Sequence, residues 1–560
     1  MSEKEAKIFF DSGIKFFNEK NYILAEKNFE KALDLAPERI SILENLASLY
    51  FINFKFEKSL EIINKLIALK AKEKKIILLK YEILTILGKI NELKKFIDEH
   101  LISGNDGLKY KVIKELIYPN FFEDQQQIDE YRNNFIQSLD KLSNFEKIQL
   151  NIDKEIVNPP VFKLSYDQYE NKEINSKLVK LFRKIYPDLN QNFSHNIKND
   201  KIKIGFFSEF FYNHTISKLF KGIIFNLNRN KFDISIFHSE RTKKDSWHDE
   251  FLYSEINKDL KNFTLPKLFI DKINLIKSQN LDIVFYPDIG MSIEFYFLSF
   301  IRFSKVQITS WGHPITTGND SIDYFLTSNL IEKADSQNFF SEKLLLSNYL
   351  PMYFYEPKII KTLTNDDLSK KNIYFCSQSL FKIHPDFDDI LKKILEKDKS
   401  AKLLFIKDKN KILFKKILQR LEKKIKIGFD RIKFLDRMSN DEYINMCGKA
   451  SVLLDTLYFG AGNSFHESMI YGTPTVTMPS ENLKSRIVLG AYKQMKIENP
   501  PVVKNIEEYV EKAVELANLE EKKMLEMKKY YSSNAKKYLF ENKDFLKEFE
   551  SMLFEISKAH

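Results

Sequence analysis

Between Leu454 and Met469 the chain reads Leu-Asp-Thr-Leu-Tyr-Phe-Gly-Ala-Gly-Asn-Ser-Phe-His-Glu-Ser-Met, an apolar strand, a turn of small residues and the start of an amphipathic helix. That order suits an anion. Gly460 and Gly462 allow close backbone approach, and Asn463 or Ser464 can cap a helix whose first amides point at a diphosphate. Glu467 lies one turn in, where a carboxylate can accept both hydroxyls of a ribose. An ordinary capped helix, with Glu467 complementing its dipole, is the competing explanation.

A second group lies upstream. Lys382 closes the loop Ser377-Gln-Ser-Leu-Phe-Lys382 directly after an apolar run, where a cation can neutralise a leaving diphosphate. Taken alone it would pass for one more surface lysine. Gln378, in the same loop, is grouped with Tyr443, Gly462, Asn463, Ser464 and Glu467 as a candidate set for binding a nucleoside diphosphate. Tyr443 can stack on a base or simply pack at a helix start. His214, in Asn213-His-Thr215, can orient or deprotonate an acceptor; a buried, satisfied histidine is the alternative. Asp288, in Tyr286-Pro-Asp-Ile-Gly290, ends another apolar run and is a candidate catalytic carboxylate beside His214 and Lys382. His313, in Trp311-Gly-His-Pro-Ile-Thr-Thr-Gly318, reads as structural. The Asp386-Phe-Asp388 triplet opens a helix after Pro385 and reads as capping. No Asp, Glu, His and Cys cluster has ligand spacing, so no metal is expected.

These residues need strands to position them. Short apolar runs alternating with amphipathic stretches predict an α/β sheet with strands at Ile202–Phe207, Phe232–His238, Leu281–Tyr286, Val306–Trp311 and Asp323–Thr327. A second series predicts strands at Ile373–Cys376, Lys402–Ile406, Ile432–Leu435, Val452–Asp455 and Thr475–Met478, with helices such as Asp388–Lys397 and Ile412–Lys424 between them. Two doubly wound sheets in tandem bind ligands at the carboxyl ends of their strands. Neither first βα loop carries GxGxxG, which disfavours a dinucleotide-dependent oxidoreductase.

Ahead of the sheets the chain repeats itself. Counting from Ala6 in a unit of about 34 residues, Phe9, Gly13, Phe16, Ala25, Phe29, Ala32 and Pro37 fall on the small and large positions of a tetratricopeptide repeat. Leu43, Leu46, Ala47, Tyr50 and Ser59 continue in register, and a degenerate third helical pair is expected from about Lys74 to His100. Stacking such pairs buries faces that a single repeat cannot bury. Residues 105–198 read as a connecting segment with a helix at Lys172–Ile185, and the tail from Ile506 reads as helical.

Composition narrows the function classes. The net charge of +10, from 88 basic and 78 acidic residues, is spread thinly, and Lys72–Lys75 and Lys423–Lys426 read as solvated helix faces, so nucleic acid is not expected as a partner. Two cysteines, Cys376 and Cys447, give no disulfide framework, and no apolar run is long enough to span a membrane. A soluble, cytoplasmic protein is expected.

Taken in order, Ile204-Gly-Phe-Phe-Ser208 with Asn213-His214, Trp311 to Gly318, Lys382-Ile-His-Pro385, and Leu454-Asp-Thr456 through Gly472-Thr-Pro-Thr-Val-Thr-Met-Pro479 resemble the O-GlcNAc transferase and SPINDLY-like family, especially its bacterial members. The resemblance implies a GT-B fold of two Rossmann-like domains behind tetratricopeptide repeats. It also implies a metal-independent, inverting transfer from a UDP-sugar, commonly UDP-GlcNAc, to a hydroxyl of a protein or glycan. In it Lys382 meets the phosphate, Asn463 and Ser464 the diphosphate, Glu467 the ribose and Tyr443 the uracil side, and His214 is the active-site histidine. Gly462-Asn463-Ser464 replaces a His-Thr-Thr of the animal enzymes, and Asp288 to Met291 lacks their basic loop. The domains expected are repeats over 1–104, a connecting segment over 105–198, an acceptor-side domain over 199–350, a nucleotide-sugar domain over 351–505 and C-terminal helices over 506–560. An inactive scaffold and a sugar-nucleotide epimerase are the rival readings.

Overall fold

In the computed structural model, residues 2–70, 73–146, 148–191, 193, 200–253 and 259–559 are described. The expected 198/199 boundary and Lys72 lie outside them. The chain divides into two compact units, Met1–Asn120 and Phe121–His560.

The first unit pairs helices Ser2–Asn18 with Tyr22–Leu35, Ile40–Ile52 with Phe56–Ala68, and Lys74–Leu87 with Ile90–His100. Small residues set the spacing: a Cβ on Gly13 would stand 2.5 Å from the Phe29 ring, and Ala25 and Ala32 are fully buried. A further helix, Gly107–Glu115, packs on Ile90–His100, which carries this unit past residue 104.

The second unit holds two all-parallel sheets. The first contains β1 (Ile202–Phe207), β2 (Phe232–His238), β3 (Lys261–Thr264), β4 (Ile283–Tyr286), β5 (Val306–Ser310), β6 (Tyr324–Ser328) and β7 (Lys343–Ser347), in the order β3-β2-β1-β4-β5-β6-β7. The second contains β8 (Ile373–Cys376), β9 (Lys402–Ile406), β10 (Ile432–Leu435), β11 (Val452–Leu454) and β12 (Thr475–Val476), in the order β10-β9-β8-β11-β12. β4, β5 and β6 are buried throughout and β1 is buried from Ile204 on, as strands covered on both faces must be. β3 and β7, which the apolar runs did not predict, are edge strands with partly exposed residues.

The segment expected to connect the units is built into the first half. The Lys172–Ile185 helix ends ahead of Pro187; Asn175 donates to the Thr316 carbonyl at 2.8 Å and Arg183 to Ser321 Oγ at 2.8 Å. The C-terminal helices are shared between the halves. Tyr509, in Ile506–Ala517, donates to the Asp455 carbonyl at 2.8 Å. The last helix, Lys543–Ala559, returns to the first sheet, where Phe549 meets Phe285 edge-on at 5.8 Å. Among the described residues no helix is long and apolar enough to cross a membrane.

In each sheet the order reverses once, between β1 and β4 and between β8 and β11. Loops leaving neighbouring strands in opposite directions open a crevice there.

Candidate active site

The loops after β8 and β11 build the site. After β8 a short turn, Leu380–Lys382, leads into the helix Pro385–Lys397, whose cap is His384: its Nδ1 accepts the Asp386 amide at 3.2 Å. Pro385 at the first helical position has its φ preset for that start. The Asp386 to Asp388 triplet is therefore not the cap. Asp386 accepts the Tyr458 hydroxyl at 2.8 Å, and buried Asp388 forms a fork with Arg420 at 2.8 and 3.0 Å.

After β11 the chain winds round one carboxylate. Asp455 accepts the Ala461 amide and the Thr477 hydroxyl, each at 2.7 Å, and burial pushes its carboxyl up to about 6. Tyr458 sits in the left-handed region at φ 63°, held by its bond to Asp386. Gly460 is required, since a Cβ would lie 2.9 Å from Asp455 Oδ2. A Cβ on Gly462 would have no atom within 4 Å, so this glycine leaves its side of the loop open.

Gly462, not Asn463 or Ser464, is the N-cap of the six-residue helix Asn463–Ser468, and no side chain caps it. The two expected cap side chains are used elsewhere. Asn463 Nδ2 donates to the Thr215 carbonyl at 2.8 Å, and Ser464 Oγ accepts Gln378 Nε2 at 2.7 Å.

With Lys407 and Arg437, Lys382 is one of three cations in the cleft among the described residues. Its Nζ donates to Gln378 Oε1 at 2.9 Å and to the Gly460 carbonyl at 3.1 Å, and lies 4.8 Å from the Phe459 ring centre. An ammonium has three N–H groups, so one more acceptor can be served. Burial pushes Lys382 down to about 8, against the opposing pull of Asp455.

Lys382, Gln378, Tyr443, Gly462, Asn463, Ser464 and Glu467 all line one cleft of about 360 Å³. Tyr443 stands at the start of the Asn440–Lys449 helix, which the Ser439 and Glu442 capping box opens, and its ring is 6.4 Å from that of Phe375. The first half contributes Thr215 to the cleft wall, and Ser377, Lys407, Arg437 and Asn440 are among the other residues that line it.

His214 and Asp288 are not part of this lining. His214 caps the Thr215–Asn226 helix through Nδ1, which accepts the Ile216 amide at 3.3 Å, and its ring stacks on Phe210 at 4.5 Å. Burial, then Lys218, pushes it down to about 4. The neutral ring so engaged carries its proton on Nε2: it is set up to donate, and taking a proton would cost the cap. Asp288 is buried with Oδ2 unpaired, and burial pushes its carboxyl up to about 8, with Glu209 adding to the rise. At neutral pH it is mainly the acid, not the base. His313 is structural, bridging the Ile289 carbonyl at 2.8 Å and Ser165 Oγ at 2.9 Å.

Sequence reasoning missed Lys218. Its Nζ pairs with Glu467 and donates to Asn440 Oδ1 at 3.1 Å. The signal available was its position one turn after Thr215 on the same helix face. Its partners are 249 and 222 residues away. Among the described residues no group of three or more His, Cys, Asp or Glu side chains could hold a metal ion.

Residues 355–549 match the profile of glycosyl transferase family 41. The chain is 24% identical over 376 residues to the Arabidopsis thaliana protein named "Probable UDP-N-acetylglucosamine--peptide N-acetylglucosaminyltransferase SEC", covering 64% of this chain and 37% of that one. It is 24% identical over 267 residues to the UDP-glucose:protein N-beta-glucosyltransferase of Actinobacillus pleuropneumoniae, covering 47% and 42%. The chain thus spans about two fifths of the length of these curated relatives. In fold it follows a mutant O-GlcNAc transferase of Thermobaculum terrenum, with a TM-score of 0.68 at 14% identity over 100% of this chain and 98% of that one. In fold the chain is thus a helical-repeat and GT-B protein, and its residues 355–549 are similar to glycosyl transferase family 41.

Proposed function

We propose that this protein transfers a sugar from a UDP-sugar to a protein side chain, with inversion at the anomeric carbon. One observation carries the reading: Lys382, Gln378, Ser464 and Glu467 converge on a single cleft at the carboxyl ends of β8 and β11. The acceptor attacks the anomeric carbon as its bond to the diphosphate breaks, UDP departs with the electron pair, and the acceptor's proton passes to solvent. Negative charge grows on the diphosphate, and Lys382 faces that charge with its remaining N–H. The amides opening the Asn463–Ser468 helix add to it. Glu467 takes the ribose hydroxyls, Tyr443 the base, and His214 orients the acceptor from Nε2. The helical repeats recruit the macromolecular acceptor. No metal enters this scheme. The buried, free Cys376 and Cys447 suit the reducing cytoplasm.

The relatives' names favour a protein acceptor over a glycan, and they name both GlcNAc and glucose as the sugar. The test is a donor screen that follows UDP release and binding with UDP-GlcNAc, UDP-glucose and non-uridine nucleotide sugars. Saturable uridine-nucleotide binding with acceptor-dependent UDP release is expected. Equally weak responses to every nucleotide would favour an inactive scaffold, and conversion of one UDP-sugar into its epimer would make it an epimerase.

A further inference from the structure

Glu467 is an almost fully buried carboxylate, and the side chain that compensates it comes from the opposite half of the protein. The Glu467 side chain is 7% exposed and that of Lys218 is 19% exposed. An ionised group so far from water needs a hydrogen-bonded countercharge. Lys218 supplies it from the Thr215–Asn226 helix, one turn beyond Thr215, whose own carbonyl accepts Asn463 Nδ2 at 2.8 Å. The Lys218 ammonium also reaches Asn440 Oδ1 at 3.1 Å. Thr215, Asn440, Asn463 and Glu467 all line the nucleotide cleft. A single lysine of the acceptor-side half therefore ties the start of one donor-side helix, Asn440–Lys449, to Glu467 near the end of another, Asn463–Ser468.

We infer that Lys218 is the positioning residue for ribose recognition: it holds the Glu467 side chain aimed so that the carboxylate accepts the sugar hydroxyls of the nucleotide. The hydrogen bond to Lys218 uses Oε1, one of the two carboxylate oxygens, and a carboxylate has acceptor capacity to spare. The contact also links donor binding to the register of the two halves, because Lys218 and His214 sit at the start of one helix. This rests on the nucleotide-sugar reading of the cleft. A carboxylate aimed at hydroxyls should distinguish a ribose from a deoxyribose strongly, since losing a hydrogen bond to a charged group is costly.

Titration calorimetry of the full chain with UDP and with 2′-deoxy-UDP tests this. The unaltered protein should prefer UDP by about tenfold or more. Lys218→Met should erase most of that preference by weakening UDP alone, and Lys218→Arg should restore it. Glu467→Gln should lose the same preference, and the double variant should lose no more than either single one. In turnover, Lys218→Met should raise the donor KM more than it lowers kcat. Unaltered discrimination in a folded Lys218→Met protein, or additive losses in the double variant, would overturn the inference alone. If Lys218→Met does not fold, the Lys218→Arg and Glu467→Gln pair decides: discrimination kept in the second overturns it. Failure of the unaltered protein to bind UDP would overturn the reading of the cleft, and this inference with it.

Discussion

The side chain of Gln378 accepts the Lys382 ammonium at 2.9 Å through its carbonyl oxygen while its amide donates to Ser464 at 2.7 Å. The loop after β8 is thereby tied to the loop after β11, and the lysine is aimed before any substrate arrives. Preorganised charge of this kind favours a transition state over a ground state. Lys382→Ala should lower kcat by about 100-fold or more with a smaller effect on donor affinity. Gln378→Leu, which keeps the cation but removes its tether, should cost about tenfold in kcat. Steady-state kinetics on folded variants decide it, and unaltered turnover in Lys382→Ala would remove the lysine from the mechanism.

The same lysine predicts a pH dependence. Burial pushes Lys382 down to about 8, so its charge is present below that pH and is lost as pH rises through it. A diphosphate binds the charged form. UDP affinity should be level below pH about 8 and fall by about tenfold per unit above it. Titrations across this range with Lys382→Met should show no such break; a shared break would assign it to another group.

Asp288 predicts a slope in stability. Its carboxyl is raised from 3.8 to about 8, so the folded protein holds this proton where the unfolded chain has released it. That contribution is complete below pH about 4 and is lost as pH rises through 8. Asp288→Asn, which cannot ionise, should gain in relative melting temperature steadily between these limits and level off above. A constant difference between the two proteins at every pH would mean that Asp288 is ionised in the fold.

Activity should survive chelation. A lysine and helix amides can hold a diphosphate without a cation. Complete loss with EDTA, reversed by magnesium or manganese, would require a different account of the leaving group.

Removing residues 1–120 should impair transfer to a protein acceptor more than the slow hydrolysis of the donor. Phe121–His560 is compact by itself, and the cleft lies wholly within it. Parallel loss of both activities in a folded truncated protein would deny the repeats a recruiting role.

Much of this architecture is written in local pattern. Buried parallel strands must be apolar on both faces, which is why the mostly buried Ile202–Phe207, Phe232–His238 and Ile373–Cys376 are legible residue for residue; Lys402–Ile406 and the edge strand Ile432–Leu435 match as well through their apolar runs, although they are only partly buried. The placement of Lys382 and Glu467 on one cleft is legible for a related reason: each follows a recognisable strand, and ligands gather at strand ends. Edge strands β3 and β7 escape because one side of each meets solvent or a cover that imposes no apolar run. The Lys543–Ala559 helix shows an amphipathic face, but nothing in that face says it will return to β4 and pack Phe549 on Phe285. Tertiary structure alone decided how the polar side chains are spent. Asn463 and Ser464 suit a helix cap by type, yet they bond to Thr215 and Gln378; Glu467 suits a ribose by position, yet its countercharge is Lys218, 249 residues away. A hydrogen bond depends on distance and direction in space, and two residues so far apart in the chain acquire both only when the two sheets have closed on one cleft.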